Sequence, residues 1–256
     1  MSFRFPCYRD LKLRLGELDA LCECLEIATR DLVESANASS DPNGFMEERS
    51  RHHGVRVNRV DIPGLQAHAA RTHIMTVHQS LEDFLDDLRS EHPLGDRWDM
   101  NGKGGLLTKT ADGLGFNPTL PFDICQYYRL VRNAVAHPSA RDGLRRSAAK
   151  VSALRHRVAQ APNLNTLDAP NPFDNVTFDD FVLFSRATKL LAMELCAAGR
   201  PSDADLGAEA VTRTSKQEGQ LRKNPARLAN ARSGYLQTRY SLSKSEADRI
   251  VAGLLA

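Results

Sequence analysis

Apolar residues recur at steps of three and four through Leu11, Leu15, Leu18, Cys22, Leu25 and Leu32, which predicts a long helix over about 8–36 with one inward stripe. Ser39, Ser40, Asp41, Pro42, Asn43 and Gly44 then form a breaker cluster. From Phe45 to Gly64 the helical period is lost. Val55, Val57, Val60 and Ile62 alternate loosely among Arg49, Arg51, Arg56 and Arg59, so a basic insertion loop over about 41–64, with room for a short hairpin, is the expectation. A second helix is predicted over 65–91 by Ile74, Val77, Leu81, Phe84 and Leu88, and His92-Pro93 ends it, because proline pushes the residue before it out of the α region.

The stretch 94–121 is Gly-rich, with a short amphipathic helix predicted through Leu106, Leu107, Thr110 and Leu114. Ile124, Tyr128, Val131 and Val135 mark a third long helix over 123–137, stopped by Pro138. A basic helix follows over 144–160, with Val151, Leu154 and Val158 facing inward. Beyond a Pro/Asn loop at 163–175, Phe181, Phe184, Ala187, Leu191 and Leu195 predict a closing helix over 177–198, ended by Gly199-Arg200-Pro201. Ser243-Lys244-Ser245-Glu246 is a capping-box pattern ahead of Ile250, Val251 and Leu254. Nearly every periodic segment is helical, so the class is all-α: a helical domain over 1–200 and a basic helical tail over 201–256.

Composition narrows the functions. The 256 residues carry 34 Lys+Arg against 32 Asp+Glu, a net charge of +2, so any nucleic-acid affinity must come from local patches. One such patch is the tail, where nine Lys/Arg meet three acids over 211–256, a net of +6. No run approaches the roughly 18 apolar residues that span a bilayer, and the N-terminal segment lacks the apolar core of a secretory signal. Five cysteines without a C-x-x-C pair fit a reducing cytoplasm better than a disulfide framework. His68, His73 and His78 recur every five residues and so spread around their helix; His52-His53 has no ligand partner at suitable spacing. No metal site and no cofactor are expected.

Chemistry concentrates where the third helix ends, at Arg132-Asn133-Ala134-Val135-Ala136-His137-Pro138. A guanidinium, an amide and an imidazole follow an otherwise apolar helix there. Positions five apart lie about 140° apart around a helix, so Arg132 and His137 of one chain need not face each other. Pro138 breaks the helix at His137 and frees its ring. A second Arg and His at similar separation, Arg71 and His78, has no Asn after the Arg and no helix end. Structurally, an Arg and a His at a helix end also serve as caps that complement the helix dipole.

This segment resembles the motif of the HEPN superfamily of ribonucleases and nucleotide-binding domains: an Arg, a polar residue, a few intervening positions and a His near a helix end. The order of helices over about 8–198 is similar too, which implies a HEPN-like up-and-down bundle; the basic loop and the tail match nothing in that pattern. The resemblance implies a metal-independent endoribonuclease in which the RNA 2′-hydroxyl attacks the adjacent phosphate. His137 would exchange protons near neutral pH, Arg132 would hold the non-bridging oxygens, and Asn133 would orient phosphate or imidazole. In-line displacement needs groups on both sides of phosphorus, so a homodimer through the motif helix is implied.

The basic helix after the motif carries Arg141, Arg145, Arg146, Lys150, Arg155 and Arg157 against Asp142; such a face is ordinarily solvated, but here Arg141, Arg145, Arg146, Lys150 and Arg157 stand in position to track an RNA backbone. Tyr235 and Tyr240 in the tail could stack on bases or dock the tail on the domain. The leading expectation is an anti-phage or stress effector, or the toxin of a toxin–antitoxin pair, held by an antitoxin or defence partner in the cytoplasm. Two alternatives stand beside it: a non-catalytic RNA- or nucleotide-binding module, and a helical interaction protein whose basic tail binds DNA or a partner.

Overall fold

A computed structural model describes residues 3–58, 61–101, 104–145, 148–221 and 224–254. Eleven α-helices and three short 3₁₀ turns make up the regular structure, and no strand occurs among the described residues. The protein is all-α. Helix α1 spans Pro6–Ala38, α2 Pro42–His52, α3 Leu65–Glu91, α4 Leu106–Leu114, α5 Leu120–Ala136, α6 Arg141–Arg145, α7 Ala148–Ala159 and α8 Phe178–Ala198; α9 (Asp203–Leu221), α10 (Pro225–Tyr240) and α11 (Lys244–Ala252) complete the chain.

Two compact units are formed, and the divisions fall inside α1, α3 and α8 and between α4 and α5. The first gathers residues 1–12, 82–117 and 190–256. The residues of the tail thus fall in the same unit as the N-terminus. Phe3 stacks on Tyr240 with ring centroids 5.0 Å apart, and the Arg4 amide donates to the Tyr240 carbonyl. Ser243 caps α11 as its sequence predicts, accepting from the Glu246 amide at 3.3 Å. At the end of α4, Gly115 adopts φ +60°, a left-handed cap that glycine enters without steric cost.

The second unit gathers 13–81 and 118–189. Its core holds much of the set the periodicity singles out, with Leu15, Ile74, Val77, Ile124, Tyr128, Val131, Val151, Phe181 and Phe184 all buried, but Leu25 of the expected α1 stripe is 46% exposed, because the buried face of α1 at that level is taken by Cys22 and Glu26. Tyr128 stacks on Phe184 at 4.9 Å.

One expectation is overturned. Residues 42–52, read above as part of a loop with strand character, are helical. Asp41 caps that helix by accepting from the Gly44 amide, Pro42 starts it, and Met46 packs with Ala36 and Ile62. Val55 and Val57 follow as irregular chain; Arg59 and Val60 lie outside the described residues. The basic stretch after the motif is helical on both sides of residues 146 and 147, which lie outside the described residues.

Candidate functional site

Helix α5 buries Ile124, Cys125, Tyr128, Val131 and Ala134, which turns Arg129, Arg132 and Asn133 to its flank. The helix stops where Pro138 demands it. His137 is its C-cap, with extended backbone (φ −130°, ψ 99°), and its amide still donates to the Asn133 carbonyl at 2.7 Å. The imidazole is exposed and makes no hydrogen bond among the described residues. Arg132 and Asn133 are half-buried, and Arg132 Nη1 donates to Asn133 Oδ1 at 3.3 Å. Asn133 therefore joins both other motif residues, Arg132 through its amide oxygen and His137 through its carbonyl.

Behind Arg132 lies a residue that sequence reasoning set aside. His78 on α3 is buried, and burial, reinforced by the positive charges of Arg132 and Arg129, pushes its pKa down to about 4. A neutral imidazole thus backs the Arg-rich flank of α5. Arg71, the alternative partner by spacing, is engaged elsewhere: it donates to the carbonyls of Phe173 and Asp174 and lies 4.9 Å from the Phe173 ring centroid.

A buried carboxylate anchors the middle of α5. Asp180, fully buried on α8, accepts from the Tyr128 hydroxyl (2.8 Å), from the Asn171 amide (2.8 Å) and side chain (3.0 Å), and from the Thr177 amide (2.9 Å). Burial raises its pKa, and these hydrogen bonds hold the rise in check. Tyr127 adds a hydrogen bond to the Asn171 carbonyl, and Arg155 one to its side chain at 2.8 Å. Nothing in the apolar pattern signals this network; the run Asp179-Asp180 reads only as acidic residues in a helical first turn.

The basic residues after the motif separate into distinct roles. Arg141 folds back so that Nε donates to the Ala134 carbonyl at 3.1 Å, one of the acceptors left open where α5 ends. Its guanidinium also lies 5.6 Å from the Phe173 ring centroid. Arg157 pairs with Asp123 at 2.6 Å. Arg145 is the last residue of α6, and Arg146 lies outside the described residues. Lys150 is exposed on α7, has no ion-pair partner among the described residues, and borders a groove of about 370 Å³ lined by Gln126, Tyr127, Leu130, Val151 and Leu154. In the tail, Tyr240 is buried, and both it and Tyr235 donate to Glu209, so these rings are structural rather than free to stack on bases.

A second groove, about 670 Å³, is lined by Leu32 and Ser35 of α1, Phe45, Met46 and Arg49 of α2, and His53; it holds no motif residue. Among the described residues no group of three His, Cys, Asp or Glu is placed to hold a metal ion, and no helix is long and apolar enough to cross a membrane. No protein-family model, curated protein or solved structure matches the chain.

An exposed imidazole, a guanidinium and an amide stand at one end of a helix that a buried carboxylate anchors at Tyr128, and together they offer hydrogen-bond donors to an anion. That is the chemistry the arrangement offers.

Proposed function

We propose that the protein is a metal-independent endoribonuclease of HEPN type, active as a homodimer with motif helices apposed. The observation that carries this reading is the end of α5: Pro138 sets His137 off the helix with its ring in solvent, while Arg132 and Asn133 are tied to one another a turn earlier. A purely capping pair would instead direct its donors at the last carbonyls. Here Arg141 makes such a bond, to Ala134, which leaves the motif side chains for another task.

In the proposed reaction one His137 takes the proton of the RNA 2′-hydroxyl, and the 2′-oxygen attacks phosphorus. The bond from phosphorus to the 5′-oxygen breaks, and the partner's His137 donates a proton to the leaving oxygen. The products are a 2′,3′-cyclic phosphate and a 5′-hydroxyl. Arg132 stabilises the charge that develops on the non-bridging oxygens, and Asn133 holds Arg132 in place. Lys150 meets the backbone of the incoming strand. The biological setting is a stress or anti-phage effector, or the toxin of a toxin–antitoxin pair.

Wild-type protein and His137→Ala, each incubated with mixed RNA in EDTA, test this. Cleavage by the wild type alone supports the enzyme. Binding without cleavage by both supports a non-catalytic RNA-binding module, and binding that survives loss of Arg132 and His137 but vanishes on deletion of Pro201 to Ala256 supports a tail-based interaction protein.

A further inference from the structure

The groove of about 370 Å³ between α5 and α7 is floored by the buried side chains of Tyr127, Val151 and Leu154. The Tyr127 hydroxyl is engaged by the Asn171 carbonyl, so the floor is apolar. Leu130 forms the wall on α5 and is the one large apolar side chain of that helix that stands exposed, at 42%. Asp123 and Arg157 join the two helices at one end through their 2.6 Å ion pair. Leu130 comes seven residues after Asp123 and Lys150 seven before Arg157, so these two side chains mark the other end.

That second end leads to the motif. Asp123, Leu130 and His137 are spaced by seven, so each Cα falls within about 20° of the last on one side of α5. Leu130 stands about 10 Å before His137 along the helix axis, the reach of one nucleotide from its phosphate to the far edge of its base. We infer that the groove holds one unpaired base of an RNA strand whose phosphate lies at His137, and that the substrate is therefore single-stranded.

Charge agrees with that occupant. Arg157 neutralises Asp123, the acid at the rim, while Lys150 is exposed and has no ion-pair partner among the described residues. An apolar floor beside a net positive rim matches a nucleotide, which joins a flat base face to an anionic phosphate. A base inside a duplex keeps its faces against its neighbours and its edge on its partner, so only an unstacked base enters. An acidic peptide would satisfy the same charges, but nothing would bring it into line with His137. The inference rests on the ribonuclease reading for the placement of the strand and adds to it a class of substrate.

Fluorescence anisotropy of the full chain carrying His137→Ala, which leaves the RNA whole, tests the groove. The probes are a labelled oligouridylate, the same backbone without bases, and the oligouridylate paired to its complement. The base-bearing single strand is expected to bind about tenfold more tightly than either of the others at equal salt. Adding Leu130→Asn should abolish the difference between uridylate and abasic strand with helix content unchanged, while Lys150→Ala should weaken both strands alike. An abasic strand bound as tightly as the uridylate overturns the proposal without recourse to any groove variant. So does a tenfold difference that persists in Leu130→Asn, the result expected of a groove that takes a peptide. Wild-type cleavage is measured separately: base preference without cleavage keeps the groove and removes the enzyme, whereas cleavage without base preference removes the groove alone.

Discussion

The Tyr128 hydroxyl donates to Asp180 Oδ1 at 2.8 Å, with both side chains sealed from solvent. Through this bond the helix that ends in the motif is held to α8 and to the loop at 168–177 at a point two turns before His137. Removing one donor from a buried carboxylate costs about 1–3 kcal/mol, and removing the carboxylate orphans several donors at once. Tyr128→Phe should therefore destabilise the protein by about 1–3 kcal/mol. Asp180→Ala should cost about 3–5 kcal/mol, the range found when a buried charge network loses a member. Urea unfolding of the two variants checks the order: Asp180→Ala is the more damaging.

His78 gives the protein a predicted acid sensitivity. Its folded-state pKa lies near 4, against an ordinary value of 6.5. Between those values the unfolded chain binds the proton and the folded chain does not. The stabilisation is complete above about pH 6.5 and is lost as pH falls towards 4, to a total of about 3 kcal/mol. Burial also lowers the pKa of His73 and His92, which adds to the same trend. Asp180 acts in the opposite sense above pH 3.8, since its raised pKa makes the folded state the better proton binder there. Urea midpoints measured from pH 7.5 to 4.5 should fall for the wild type and flatten for His78→Gln; an unchanged slope in the variant would remove His78 from the account.

Arg141 is expected to act on the motif through the backbone rather than on RNA. Its bond to the Ala134 carbonyl secures the last turn of α5. Arg141→Ala should cost about 1 kcal/mol and speed hydrogen exchange at the His137 amide, whose acceptor is the Asn133 carbonyl. Exchange at His137 equal to that of the wild type would show that the cap is idle.

Lys150 should behave as a backbone contact. Lys150→Ala is expected to weaken RNA binding evenly across sequences and to reduce the slope of log affinity against log salt by about 1, with a further reduction when Arg146→Ala is added. Arg157→Ala, which releases a half-exposed pair with Asp123, should move that slope less. Equal salt slopes for wild type and both Lys150 variants would take α7 out of the binding surface.

Helices α3 and α8 were legible because burial imposes period on sequence, whereas α9 and α10 were read only as part of a helical tail. The stripe Ile74, Val77, Leu81, Phe84 and Leu88 marks α3 with the bounds the structure gives, and the stripe Phe181, Phe184, Ala187, Leu191 and Leu195 marks α8 to within a residue. Helix α2 was hidden because only Met46 of its eleven residues is buried, too few contacts to print a period. Its N-cap, Asp41 before Pro42, was present in what read as a breaker cluster. Within the candidate site, the order Arg132, Asn133, His137, Pro138 is visible in the sequence, and so is the release of His137 from the helix. The neighbours are not: His78 lies on another helix 54 positions before Arg132, and the burial of Asp180 comes from packing among α5, α8 and the loop before it. Charged residues that fold back on the backbone, as Arg141 does, look in sequence like those that face solvent.

The central claim is that an exposed His137 and its neighbour Arg132 cut RNA through the 2′-hydroxyl. The most direct measurement treats one RNA pool, and the same pool 2′-O-methylated throughout, with wild type, Arg132→Ala and His137→Ala in EDTA, and reads the new chain ends. The account predicts cleavage of the unmodified pool by the wild type alone, with 2′,3′-cyclic phosphate and 5′-hydroxyl ends, and an intact methylated pool. Cutting of the methylated RNA, undiminished cutting by His137→Ala, or an intact unmodified pool with the wild type would contradict it.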